Sequence, residues 1–195
     1  GVCARKVLKA LQEFMEIAIG QKDYNTAMKM VRKFSSLNHL YPEAGDFSDR
    51  GIQLLQRSVE AAMQEGDYDA AMLTVQHMLR AQQEFDKAGD FAKYGIDLFS
   101  NAVESFIEKK EYHKAMPLMK QICRELPGSK ESILKLLPRI RSDLTAAIGD
   151  EDFKAALDVI YRVNSVAKLL PEADALIEYG FSSLEETILH SIEKQ

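Results

Sequence analysis

The chain has 195 residues, of which 46% are hydrophobic and 28% charged, and its formal net charge is −5. This is a globular composition, since disorder needs low hydrophobicity with high net charge, and the acidic balance argues against a general nucleic-acid binder, which needs a basic surplus. The two cysteines, Cys3 and Cys123, suit neither a disulfide framework nor a metal cluster and fit a reducing, cytoplasmic compartment, and no apolar run reaches the roughly 18 residues that span a bilayer.

Taken in order, the apolar positions recur at steps of three and four, which is the period of a helix buried on one face. A first helix is expected near residues 4–20. A second, near 24–40, opens at Asp23-Tyr24-Asn25-Thr26-Ala27-Met28. A third follows near 45–65, after Tyr41-Pro42-Glu43-Ala44-Gly45-Asp46-Phe47. The fourth, near 68–84, opens at Asp67-Tyr68-Asp69-Ala70-Ala71-Met72. Helices near 89–109 and 112–125 repeat the pair, the latter opening at Glu111-Tyr112-His113-Lys114-Ala115-Met116. Helices near 130–148 and 153–169 repeat it again, with Asp152-Phe153-Lys154-Ala155-Ala156-Leu157 at the second opening. A last helix near 172–192 has no partner and is expected to close the array. No segment alternates with a strand's period of two.

The aromatic residue of the recurring phrase falls at 24, 68, 112 and 153, so the period is 44, 44 and then 41 residues. Two further series keep the same phase. Phe85-Asp86-Lys87-Ala88-Gly89-Asp90-Phe91 echoes the phrase at Tyr41. A helix-breaking residue sits in mid-helix at Gly51, Gly95 and Gly180, with Pro138 near the equivalent place. Such self-similarity defines a repeat architecture. An acid ahead of each aromatic can cap free N–H groups at the helix start, and short connections such as Gln64-Glu65-Gly66-Asp67 force antiparallel neighbours. The expected fold is therefore all-α: a right-handed α–α superhelix, or solenoid, of four hairpins (about 4–40, 45–84, 89–125 and 130–169) plus a closing helix at 172–192. That makes about nine helices in one domain over 1–195. The start at Gly1-Val2, without methionine, fits a piece excised from a longer protein.

The phrase from Gln64 to Met72 resembles the turn and second-helix opening of a tetratricopeptide repeat, and Tyr24/Ala27, Tyr112/Ala115 and Phe153/Ala156 carry the same aromatic–alanine pair. That family's period is shorter, so the resemblance is to an extended cousin. It implies a scaffold that binds a peptide or protein on a face lined by first helices.

No catalytic constellation is evident, and no cofactor or metal is expected. His39, His77, His113 and His190 lack partners at metal-ligand spacing and read as surface or boundary residues. Pro127-Gly128-Ser129-Lys130 lacks the second glycine of a phosphate loop and reads as a turn, with Ser129 capping the next helix. Cys123 reads as core, as do Met28, Met72 and Met116, whereas Met15 and Met30 suit an adaptable groove.

Two features point to binding. Lys6, Arg50, Tyr94, Lys135 and Tyr179 share one register of the five first helices, and a repeat stacks such a register into a column able to grip carboxylates. Charge is also banded: net +4 over 1–40, −6 over 41–110, +4 over 111–141 and −7 over 142–195. The basic band of Lys114, Lys120, Arg124, Lys130, Lys135, Arg139 and Arg141 suits an acidic partner or, at most peripherally, anionic lipid. Opposite signs at the two ends permit self-association, head to tail or antiparallel. The expected function is a non-catalytic protein-interaction adaptor. A lipid-surface trafficking adaptor and, further off, a small-molecule-binding helical domain are the alternatives.

Overall fold

The structure, a computed structural model, describes residues 2–82 and 86–193, with the side chains of all of these except 2, 3 and 86. The described residues form ten helical segments and no strand. First-type helices are α1 (Val2–Gly20), α3 (Pro42–Glu65), α5 (Asp86–Glu108), the broken pair α7 (Lys130–Leu134) and α8 (Leu137–Gly149), and α10 (Glu172–Glu193). Second-type helices are α2 (Tyr24–Leu37), α4 (Tyr68–Ala81), α6 (Tyr112–Glu125) and α9 (Phe153–Ala167). Each second-type helix starts at the aromatic residue that the repeat marks. Residues 83 and 84 of the expected fourth helix, and Phe85 of the repeated phrase, lie outside the described residues.

Contacts group the chain into two compact units, Gly1–Gly95 and Ile96–Gln195. In the first, α1 packs on α2, α2 on α3 and α3 on α4, while α1 also reaches α3 and α2 reaches α4. In the second, α9 lies against α6, α8 and α10, and α8 also meets α10. Each unit is therefore a set of antiparallel hairpins in which like helices touch like. The core is apolar throughout: Phe34, Leu55, Met72 and Met78 are fully buried in the first unit, and Phe99, Met116, Met119 and Ile122 in the second. Burying one such side chain stabilises by about 1.5–3 kcal/mol.

The four hairpin turns are built alike. Lys22, Gly66, Lys110 and Glu151 all adopt left-handed backbone, with φ of 59°, 77°, 60° and 56°. The next residue's N–H then reaches back to Ala18, Ala62, Phe106 and Ala147 at 2.8, 2.8, 2.8 and 2.9 Å, which satisfies a carbonyl the helix end would leave free. Asp23, Asp67 and Asp152 cap the following helix, each accepting from the backbone N–H three residues on, at 3.1, 3.1 and 3.0 Å. Glu111 makes no such bond. It pairs with Lys114 instead, at 2.8 Å. Only one of the four left-handed positions is glycine, so the others carry strain. Glu151→Gly is expected to raise stability by about 1 kcal/mol, read as a higher midpoint in urea unfolding. An unchanged or lower midpoint would show that the turn is not strained.

Several sequence expectations need correction. Gly51, Gly95 and Gly180 do not break their helices; each permits a close helix crossing. A Cβ at these positions would stand 2.7, 2.3 and 2.7 Å from Val31, Val75 and Ile160, the residue seven places into the second-type helix of the preceding hairpin in every case. The helix expected over 130–148 is interrupted at Lys135–Leu136, because Pro138 lacks an N–H and is accommodated only in the first turn of α8. Ser129 does not cap α7: its hydroxyl bonds back to the Ile122 carbonyl at 3.2 Å, tethering the turn to α6. Met15 is fully buried and touches the Gly51 crossing, so it lines no groove. Cys123 is only half-buried, and burial raises its thiol pKa. α10, the expected closing helix, exposes Phe181, Ile188, Leu189 and Ile192.

Candidate functional site

The register that suggested a binding column has a regular structural use. In the first unit Arg50 Nε lies 2.9 Å from Glu16, and the Tyr94 hydroxyl donates to Glu60. In the second unit the Tyr179 hydroxyl meets the Thr145 hydroxyl at 2.8 Å. Each of these residues reaches the one 34 places earlier, on the preceding first-type helix. Accepting that bond from the Tyr94 phenol is what chiefly makes Glu60 push the phenol's pKa up, with burial second. Exposed pairs of this kind contribute up to about 1 kcal/mol and leave the guanidinium able to swing outward. Lys6 stands exposed on α1, directly before the exposed Val7. Lys135 departs from the register: it sits in the break after α7 and pairs with Glu131 of its own segment at 3.6 Å.

Most of the basic band stands in solvent-exposed ion pairs. Lys114 pairs with Glu111 and lies 5.6 Å from the Phe106 ring centre. Arg124 pairs with Glu125, Lys130 with Glu172 at 3.0 Å, and Arg139 approaches Asp143 at 3.9 Å. Arg141 stacks over the Tyr179 ring at 4.2 Å, and Lys120 is exposed. Lys114, Arg124, Lys130, Lys135 and Arg139 nevertheless keep between 48% and 71% of their side-chain surface open to solvent.

Two features escaped sequence reasoning. The first is Asp143, on α8, whose side chain is only 11% exposed. It accepts from the Tyr112 hydroxyl and is paired with Lys110, so it ties the α5–α6 turn to α8. Burial, then that bond to Asp143, drives the Tyr112 pKa far above the usual phenol range. The second is a cleft of about 240 Å³ between α6 and α9, lined by Tyr112, Met116, Pro117, Tyr161, Arg162 and Ser165. Tyr161 is 77% exposed there, the highest exposure of any large apolar or aromatic side chain among the described residues. Pro117, inside α6, has no N–H to give the His113 carbonyl and presents its ring to the cleft. A sequence signal for Tyr161 did exist: it falls off the buried stripe of Ala156, Val159, Ile160 and Val163.

Among the described residues no group of three or more His, Cys, Asp or Glu side chains is placed to hold a metal ion. None of their helices is long and apolar enough to cross a membrane. His39, His113 and His190 are exposed; His77 is half-buried, and burial, followed by Arg80 and Arg32, lowers its pKa.

No known family profile matches the chain, and no curated protein does. Among solved structures, it is similar to a "circular tandem repeat protein with novel repeat topology and enhanced subunit contact surfaces". The two are 16% identical with a TM-score of 0.36, and the match covers 94% of this chain. The chain spans about half the length of that protein, 51%.

Proposed function

We propose that this chain is a non-catalytic, tetratricopeptide-like adaptor module that holds a peptide or helix of another protein. The observation that carries this reading is the α6–α9 cleft. An exposed tyrosine stands beside a guanidinium, over a floor made by a methionine and a proline. Tyrosine and arginine are the side chains most often found to dominate the energy of protein interfaces. The floor suits an apolar anchor, and Arg162, which bonds Asp158 at 2.7 Å, can exchange that carboxylate for one on a ligand. The fold supports the reading too, because short-range stacking leaves surface residues free to vary while the core is kept.

The test is selection of peptides from a random library on the immobilised protein, followed by titration of the recovered sequences. Binding that weakens by about tenfold or more in Tyr161→Ala, with an unchanged melting curve, is the expected result; about tenfold is a loss of 1.4 kcal/mol. Peptides that ignore Tyr161 but are lost with Arg50→Glu/Tyr94→Ala would move the site to the first-type helices. Failure to enrich any sequence would overturn the reading.

A further inference from the structure

We propose that this chain also self-associates head to tail, the outer stripe of α1 on one copy seating on the outer stripe of α10 on the next. This goes beyond the adaptor reading and uses other faces. The repeat itself supplies the argument. On α3, Gly51 and Ser58 are taken up by the preceding hairpin, Gly51 against Val31 and Ser58 in a 2.8 Å bond to the Tyr24 hydroxyl. The same register on α1, 44 residues earlier, holds Val7 and Phe14, which are 53% and 51% exposed. A quarter-turn round from the glycine crossing, Ile52 and Val59 of α3, and Ile96 and Val103 of α5, are buried. The equivalent residues of α10 are Phe181 and Ile188, and these are open.

With Ile17 and Ile192 completing the two stripes, the six side chains are between 41% and 63% exposed. Steps of three, four and seven put each set on one side of its helix. Contiguous apolar surface of this kind marks an interaction face. What distinguishes a second copy from any other apolar occupant is charge. α1 carries three basic and two acidic residues within a stretch, residues 1–40, of net +4, whereas α10 carries six acidic residues and neither lysine nor arginine. Asp174, Glu178 and Glu185 lie on the stripe's own side of α10, so two α10 faces repel while α10 and the α1 end attract. Val7 adds a condition. Its branched side chain excludes the close crossing that glycine allows, so the copy-to-copy contact is wider than a crossing inside the array. Because the two faces differ, the interface is heterologous, and successive copies form a chain or a ring.

The experiment is sedimentation velocity on the full chain over a wide concentration range, with Phe14→Glu and Ile188→Glu as variants. Both substitutions are at exposed positions, and circular dichroism melts check that each is folded. Wild type is expected to grow in mass with concentration, and each variant alone to stay monomeric. An equal mixture of the two should give a dimer and nothing larger, because one intact head and one intact tail remain. Wild type that stays monomeric throughout would overturn the proposal. So would an association that either variant retains, or a mixture that fails to pair, since these outcomes belong to an interface between like faces.

Discussion

Gly95→Ala is expected to lower stability by about 2 kcal/mol, while Gly89→Ala on the same helix raises it by about 0.5–1 kcal/mol. Glycine inside a helix is ordinarily a cost, because its backbone loses more freedom on folding and it packs nothing. Gly89 behaves in that ordinary way: a Cβ there meets nothing within 4 Å. Gly95 does not. A Cβ there would stand 2.3 Å from Val75 Cγ2 and 2.9 Å from Cγ1, distances that atoms do not occupy. Valine is branched at Cβ and held to one rotamer in a helix, so it cannot swing aside, and the two helices must part. Parting them opens contacts along the whole crossing, which is why one methyl group outweighs a favourable helix propensity. Urea unfolding of the two single variants measures both signs. A double-mutant cycle with Val75→Ala should show coupling of at least about 1 kcal/mol, because the smaller residue removes the clash. Stabilisation by both alanines would mean that the crossing is not tight.

The helical order was legible because three residue series share one period, and a shared phase survives even where a single element is ambiguous. Tyr24, Tyr68, Tyr112 and Phe153 mark the true starts of the second-type helices. The glycines were located correctly but their use was not legible. A helix-breaking tendency and a need for close approach leave the same mark in one sequence, and only the neighbour across the crossing separates them. The bonds from Arg50 to Glu16, Tyr94 to Glu60 and Tyr179 to Thr145 show what else was available. A constant offset of 34, ten short of the main period, reports how far one first-type helix slides against the next. That offset is set by packing, so it is invisible until the stacking is known, after which it is a regular signal. Lys135 shows the limit of register arguments. Pro138 moves the helix break onto it, and a residue in a break no longer shares the face that its number implies. Asp143 was not legible at all. It lies at the head of an acidic stretch that reads as solvated surface, and its burial depends on a turn more than thirty residues away.

Asp143→Ala is expected to cost about 2–3 kcal/mol, more than any single change on the surface of the second unit. The carboxylate collects the Tyr112 hydroxyl, the Lys110 ammonium and, at longer range, the Arg139 guanidinium. Its three partners would not suffer equally. Lys110 and Arg139 are more than half exposed, and water takes up their donors at little cost. Tyr112 is a buried residue, and without Asp143 its hydroxyl is left short of its acceptor. The loss should therefore run mainly through tyrosine, and that is measurable. Tyr112→Phe alone should cost about 1 kcal/mol, and Asp143→Ala on top of it should cost clearly less than in wild type. Alkaline pH offers an independent reading. The Tyr112 pKa is raised in the folded chain, so its contribution is intact below the unfolded phenol value of ~10 and is lost as pH rises beyond it. Wild type should lose stability above that point more steeply than Tyr112→Phe. Parallel curves for the two proteins, or strictly additive effects of the two substitutions, would show that Asp143 holds the α5–α6 turn through its cations and not through the phenol.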